Sequence, residues 1–491
     1  MNNKRFFTVF LLVSMLCLAP VFSAQSRRAQ PTAEQALLEV MHSISSWDCY
    51  AWVKELASDK YEGRLTGHKG FNDSAKWLIG HLKEWGLKPG GDNATYLQAF
   101  PNPYTWILPD CSVAMHIPFK DSTIRKSYDY VDEYIPGSTS ASGEVTAEVV
   151  YVGYGITAPE LDYDEYSGLE VKGKIVLMER EAPVSPSNVD LFKKWRPYSF
   201  HQYKLENAVK HGAAGMLYNY GPIGNPNNSY DKNLINSHVG SAVVKDVFAG
   251  TGKDHGEVVR AIQKALKPLS FETGKVFSIK NTTEHHADGI GFNVIGILEG
   301  SDPVLKDEYI MLGGHLDHLG RCFEIMPGAN DNASAVAVMM AVAEALSNSP
   351  VKPRRSIMFA FFGAEEQGVA GSKFYVENPI VPLEKTVGLI NMDGVGVGTR
   401  LNALAGGNFP EFYAFIADAN NRYVHRMLGG ASFLNNARPR LDATWFLWAD
   451  VPTLSFSAYG GGGQSPYHLP GDAIDRITPE IMEDLAQILF M

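Results

Sequence analysis

Cysteine is scarce in this chain, with four among 491 residues. Cys17 falls in an N-terminal apolar run, which leaves Cys49, Cys111 and Cys322. Three cysteines make no disulfide framework, and they lack the close paired spacing of a structural zinc site. A Cys49–Cys111 bridge in an oxidising compartment and a pair of inert thiols both fit this count. Positive charge is also short: 43 Lys and Arg face 54 Asp and Glu, a formal net charge of −11. Nucleic-acid binders carry a basic face, so no nucleic-acid partner is expected. Long apolar runs are missing after residue 22, which excludes a later membrane span. Internal repeats and low-complexity segments are absent as well. What remains, at 45% hydrophobic and 20% charged residues, has the balance of a globular protein, and its length predicts two or three domains.

The first residues read as a targeting signal. Lys4 and Arg5 precede an apolar run from Phe6 to Phe22, followed by Ser23, Ala24 and a polar stretch. This charged, apolar, small-residue order predicts a secretory signal peptide over residues 1–24 and export to the periplasm or the extracellular space. Ser14-Met15-Leu16-Cys17 has a faint lipoprotein look, but Leu16 is too bulky beside the cysteine. After removal of the signal no stable membrane insertion is expected.

Texture divides the rest. Residues 31–130 open with helical patterns at Thr32–Ser45 and Phe71–Trp85, the second with Trp77, Leu78, His81, Leu82 and Trp85 at helical spacing. Residues 131–280 carry short β-branched runs, such as Glu148–Val152 and Lys174–Leu177, broken by Gly and Pro, and predict a strand-rich insert. Residues 281–491 alternate apolar strands with helices. That alternation predicts an α/β fold, a mostly parallel mixed sheet flanked by helices.

In such sheets ligands bind at the carboxyl ends of the strands. The strand Tyr309–Leu312 runs into Gly313-Gly314-His315-Leu316-Asp317-His318, and Gly328-Ala329-Asn330-Asp331-Asn332 opens the next helix. Ser356–Phe362 runs into Gly363-Ala364-Glu365-Glu366, Val387–Ile390 into Asn391-Met392-Asp393-Gly394, and Pro466-Tyr467-His468 follows the Gly460–Gly463 run. A lone His or Asp at a strand end is usually structural or solvated, but five loops converging on one sheet edge are an inventory that suits zinc. A two-metal site needs a bridging carboxylate, and Asp331, short and flanked by small residues, is the candidate.

These motifs together resemble the two-zinc aminopeptidases of metallopeptidase family 28, a family that also holds glutamate carboxypeptidase-like enzymes. The resemblance covers nearly the whole mature chain. Leu56-Ala57-Ser58-Asp59 and Glu62-Gly63-Arg64 resemble the family's opening segment, and Tyr151-Val152-Gly153-Tyr154-Gly155 with Val171–Val176 resembles a protease-associated domain. The resemblance implies the zinc exopeptidase fold, two Zn²⁺ per chain and peptide substrates. It implies that His315 and Asp393 hold one zinc and Glu366 and His468 the other, with Asp331 bridging. Glu365 would be the general base, taking a proton from the attacking water and passing it to the leaving amine. Asp317 would orient the His315 ring. For Tyr467 two roles stay open, a hydrogen bond to the oxyanion or packing. The resemblance also implies a cis peptide bond between Asp331 and Asn332. Two positions depart from the family pattern: Ala335 replaces a common Gly, and Asp442 sits in Arg440-Leu441-Asp442-Ala443-Thr444 where many members show Ser-Asp-His.

Rival readings are a carboxypeptidase, with Arg438 and Arg440 as candidate cations for the substrate carboxylate, a one-zinc glutaminyl cyclase, and a binding protein without catalysis. The full donor set favours the aminopeptidase. Oligomeric state and side-chain preference are not legible in the sequence.

Overall fold

The computed structural model describes residues 32–225, 229–430, 432–433, 440–460 and 466–491. The signal-peptide reading, Cys17 and Arg438 lie outside these residues. Among the described residues no helix is long and apolar enough to cross a membrane.

The larger core is an eight-stranded sheet with the spatial order Lys88–Pro89, Ile290–Leu298, Ser356–Phe362, Tyr309–His315, Thr386–Met392, Thr453–Tyr459 and Arg400–Leu404, with Leu97–Pro101 pairing beside Lys88–Pro89 on Ile290–Leu298. The four central strands are mutually parallel, and the flanking pairs are antiparallel. Ser356–Phe362 is buried at every residue, as expected of a strand covered on both faces. Helices Ser46–Leu56, Ser334–Asn348 and Pro479–Phe490 pack on one another and share one hydrophobic core with the sheet. Ser334–Asn348 is apolar almost all round and correspondingly buried. Helix Lys69–Glu84 buries Phe71, Ala75, Leu78 and Leu82, the one-face spacing that its sequence predicts. The strand Ser356–Phe362 has the predicted bounds, Tyr309–His315 runs three residues past the predicted Tyr309–Leu312, and Thr386–Met392 adds one residue before and two after the predicted Val387–Ile390. Helix Ser46–Leu56, capped by the Ser45 side chain, and the edge strand Arg400–Leu404 were not anticipated.

A second eight-stranded sheet is built from Ser122–Ser127, Ser112–Phe119, Phe271–Asn281, Gly143–Tyr151, Ile175–Glu179, Gly215–Asn219, Ile235–Val239 and Tyr134–Pro136, in that order. It takes in two strands upstream of residue 131. Ser112–Phe119 pairs with Val276–Lys280, a partner more than 150 residues away that local texture does not reveal. Cys49, Cys111 and Cys322 are free and buried, and burial pushes the Cys111 thiol up to about 11.

Candidate metal centre

The carboxyl ends of the parallel strands converge as the sequence requires. His315 ends its strand, Glu365 and Glu366 follow Phe362, and Asp393 follows Met392. Asp331 lies just ahead of helix Ser334–Asn348, and its peptide bond to Asn332 is cis. The Asp331 oxygens face two different donor sets. Oδ1 lies 3.3 Å from His315 Nε2, which is 3.6 Å from an Asp393 oxygen. Oδ2 lies 3.4 Å from His468 Nε2, which is 3.0 Å from a Glu366 oxygen. Tetrahedral zinc with ligand bonds of ~2.0–2.1 Å separates its donors by ~3.3–3.4 Å, so these spacings fit a metal ion between them. Among the described residues, His315, Asp331 and Glu366 each offer a donor atom, all within 4.8 Å of one another.

The donor chemistry fits as well. His315 Nδ1 is 3.1 Å from the main-chain oxygen of Asp317. A carbonyl only accepts, so Nδ1 carries the proton and Nε2 presents its lone pair. That Nε2 is buried and hydrogen-bonds to no protein atom, as a metal ligand would. Charge points the same way. Burial works against a charged His315, yet the surrounding carboxylates of Asp331, Asp393 and Glu365 outweigh it and hold the ring well above its ordinary value, so that without a metal ion a proton stands in for the positive charge the ion would supply. Burial likewise pushes Glu365 well above the carboxylate range, with only partial relief from His315, and lifts Asp442 to about 7. This surplus of buried carboxyl groups calls for cations.

Asp317 does more than was expected of it. Its carboxylate is 3.7 Å from His315 Nδ1, and its oxygens accept the backbone N–H groups of Glu365 and Glu366 at 3.2 and 3.3 Å. It therefore ties the His315 loop to the glutamate loop. Tyr467 is 56% exposed, and its ring stacks on His468 with centroids 3.6 Å apart. Asp442 is buried, with an oxygen lacking a partner.

Sequence reasoning missed the supports. His318 Nδ1 lies 2.7 Å from the second Glu366 oxygen. Asp472 accepts the N–H groups of Asn330 and Asp331 at 3.1 and 3.0 Å. Asn332 donates to Met392 O at 3.0 Å and accepts from Gly394 N–H at 3.2 Å, which joins the bridging loop to the Asp393 loop. Arg64, fully buried, donates to the carbonyls of Leu56, Leu316, Pro327 and Gly328 at 2.6–2.9 Å. Gly63 beside it has φ +72°, and a Cβ there would sit 2.1 Å from Gly320 O, so only glycine allows the approach.

Glu365, Glu366, Tyr467 and His468 open onto a cavity of about 580 Å³. The same cavity is lined by Phe200, His201, Tyr220 and Asn225 and by Arg440, Trp445 and Trp448.

Residues 293–491 match Peptidase family M28, and residues 145–246 match the PA domain. Leucine aminopeptidase 2 of Arthroderma otae is 25% identical over 377 residues, 75% of this chain and 63% of that protein. Aminopeptidase YwaD of Bacillus subtilis is 26% identical over 373 residues, 71% of this chain and 68% of that protein. The chain thus spans about two thirds of the length of these relatives. The solved structure of an aminopeptidase from Aneurinibacillus sp. strain AM-1 shares the fold, with TM-score 0.65 and 21% identity over 92% of this chain and 94% of that one. With its donors at the carboxyl ends of the sheet strands and a PA match inside the second sheet, the segment 293–491 is a peptidase family M28 domain, accompanied by a PA domain at residues 145–246.

Proposed function

We propose that this chain is a zinc-dependent aminopeptidase that holds two zinc ions and removes N-terminal residues from peptides. The observation that carries this reading is Asp331, whose two oxygens each face a separate set of one histidine and one carboxylate. His315 and Asp393 would hold one ion, His468 and Glu366 the other. Zinc, when bound, supplies Lewis acidity that polarises a scissile carbonyl and makes water nucleophilic near neutral pH. Glu365, on the cavity wall, is the general base: it accepts a proton from the attacking water and delivers it to the leaving amine. Its carboxyl, raised by burial, is suited to both halves of that transfer. The Tyr467 hydroxyl, steadied by stacking on His468, donates to the developing oxyanion.

The charge of the site supports an aminopeptidase over a carboxypeptidase. Glu365 and Asp442 are acidic groups beyond the ligand set, and once bound cations draw their raised pKa values down, their charge favours a substrate ammonium over a substrate carboxylate. Arg440, a candidate cation for a carboxypeptidase, pairs with Glu181 at 3.1 Å. The second donor set argues against a one-zinc cyclase. The names of both relatives above, a leucine aminopeptidase and an aminopeptidase, agree with this choice. The PA-containing insert, residues 131–280, would stand at the mouth and restrict access to short peptides. The 1–24 signal reading places the enzyme in the periplasm or outside the cell.

Amino-acid p-nitroanilides, N-acetylated dipeptides and C-amidated dipeptides test the reading. Free-amine substrates should be cleaved, including C-amidated ones, with loss on chelation and recovery on adding zinc. Cleavage of N-acetylated dipeptides in preference to free ones would refute it.

A further inference from the structure

The two histidines of the centre are oriented from different places. His315 is oriented by the main-chain oxygen of Asp317, two residues along its own loop. His468 is oriented by the insert: its Nδ1 lies 2.7 Å from the carbonyl oxygen of Gly224, a residue 244 positions away. Because that oxygen only accepts, Nδ1 bears the proton and the Nε2 lone pair is turned toward Asp331 and Glu366. The Gly224 N–H donates back to the His468 carbonyl at 3.2 Å. His468 has φ +57°, a left-handed backbone that a non-glycine residue keeps only where its surroundings hold it.

The loop that carries Gly224 follows strand Gly215–Asn219 of the second sheet and is itself pinned. His238, on strand Ile235–Val239 and buried, places Nδ1 2.8 Å from the Ile223 carbonyl. The Asn225 amide nitrogen lies 3.1 Å from His201 Nε2. A Cβ added at Gly224 would fall 2.8 Å from a Leu319 methyl, so the loop also packs against the turn that carries His315 and His318.

We propose that the loop Tyr220–Asn225 is a structural part of the metal centre, and that His238 and Asn225 are positioning residues for the zinc site made by His468, Glu366 and Asp331. Acting through the Gly224 carbonyl, they set the affinity of that site and leave the His315–Asp393 site untouched. The segment that carries the second sheet thereby supplies the carbonyl that orients one of the proposed zinc ligands. This inference rests on the two-zinc reading above.

Zinc titration of the metal-stripped full chain, with a competing chelator and calorimetric detection, separates the two sites. Asn225→Ala and His238→Gln should each weaken one of them by ~10–100-fold, the usual effect of removing a group that orients a ligand, and leave the other unchanged. Normal affinity at both sites in both variants overturns the proposal. So does equal weakening of both sites together with a lowered Tm, which would mark a merely structural role. Should His238→Gln fail to fold, Asn225→Ala, at a half-buried position on the cavity wall, decides alone. His468→Ala in the same titration checks the foundation separately: it should lose one site, and two intact tight sites would overturn the two-zinc reading itself.

Discussion

Replacing Arg64 with Met should damage the protein at a distance from any metal ligand. The guanidinium makes four hydrogen bonds to carbonyls at 2.6–2.9 Å in a fully buried position. Hydrogen bonds from a charged donor contribute ~1.5–3 kcal/mol each, so four amount to ~6–12 kcal/mol before the cost of burying the charge. That cost is visible in the group itself, since burial pulls its pKa down to about 10 against the raising effect of Asp317 and Asp472. Removing one member of a buried charged network costs ~3–5 kcal/mol net, and this is the loss expected for Arg64→Met. At ~2.1 cal/mol/K of unfolding entropy per residue, calorimetry should show a Tm lowered by ~3–5 °C. Leu316 lies between His315 and Asp317, and Gly328 three residues ahead of Asp331, so zinc affinity should also fall, by ~10–100-fold. Arg64→Lys keeps the charge but offers three donors from one nitrogen to four carbonyls, and should fall between. A Met variant with unchanged Tm and unchanged zinc affinity would refute the view that Arg64 holds these loops.

Glu365→Gln should lower turnover of an amino-acid nitroanilide by ~10²–10⁴-fold with zinc content unchanged, because the proton carrier is lost and the metal ligands remain; near-normal turnover would show that another group is the base. Acid should destabilise the fold through His238, whose pKa burial lowers to about 4. Unfolded histidine titrates near ~6.5, so between these values the unfolded chain binds the extra proton and stability falls as pH drops below ~6.5. The ~2.5-unit gap corresponds to about 3 kcal/mol. In the presence of chelator, which removes any effect of zinc release, Tm should fall between pH 7 and pH 4 less steeply in His238→Gln than in the parent; identical slopes would reject the assignment.

Four of the five proposed metal ligands were legible because each sits where an apolar strand ends or a helix begins, and hydrophobic patterning locates those ends; His468, beyond a glycine run, was picked out by the family resemblance of Tyr467-His468. Supports that act across the chain were not. Arg64 stood in the segment Glu62-Gly63-Arg64 that resembles the family's opening, with no role legible for it, and its burial follows from carbonyls more than 250 residues away. Asp472 follows a glycine with no periodic context, and its work on the Asn330 and Asp331 amides depends on a turn that patterning does not predict. His318 stood in the same motif as His315, and the motif alone gave no reason to pair it with Glu366. The second sheet began earlier than texture indicated, because an antiparallel edge pair such as Ser112–Phe119 with Ser122–Ser127 leaves little local trace when its other partner is distant.

The central claim is that Asp331 bridges two zinc ions. Zinc-edge X-ray absorption on the purified, zinc-loaded chain, together with elemental analysis, tests it directly. The account predicts two zinc ions per chain with zinc–zinc scattering at ~3.5–4 Å. One zinc per chain under zinc-replete conditions, or two without metal–metal scattering at that distance, would contradict it.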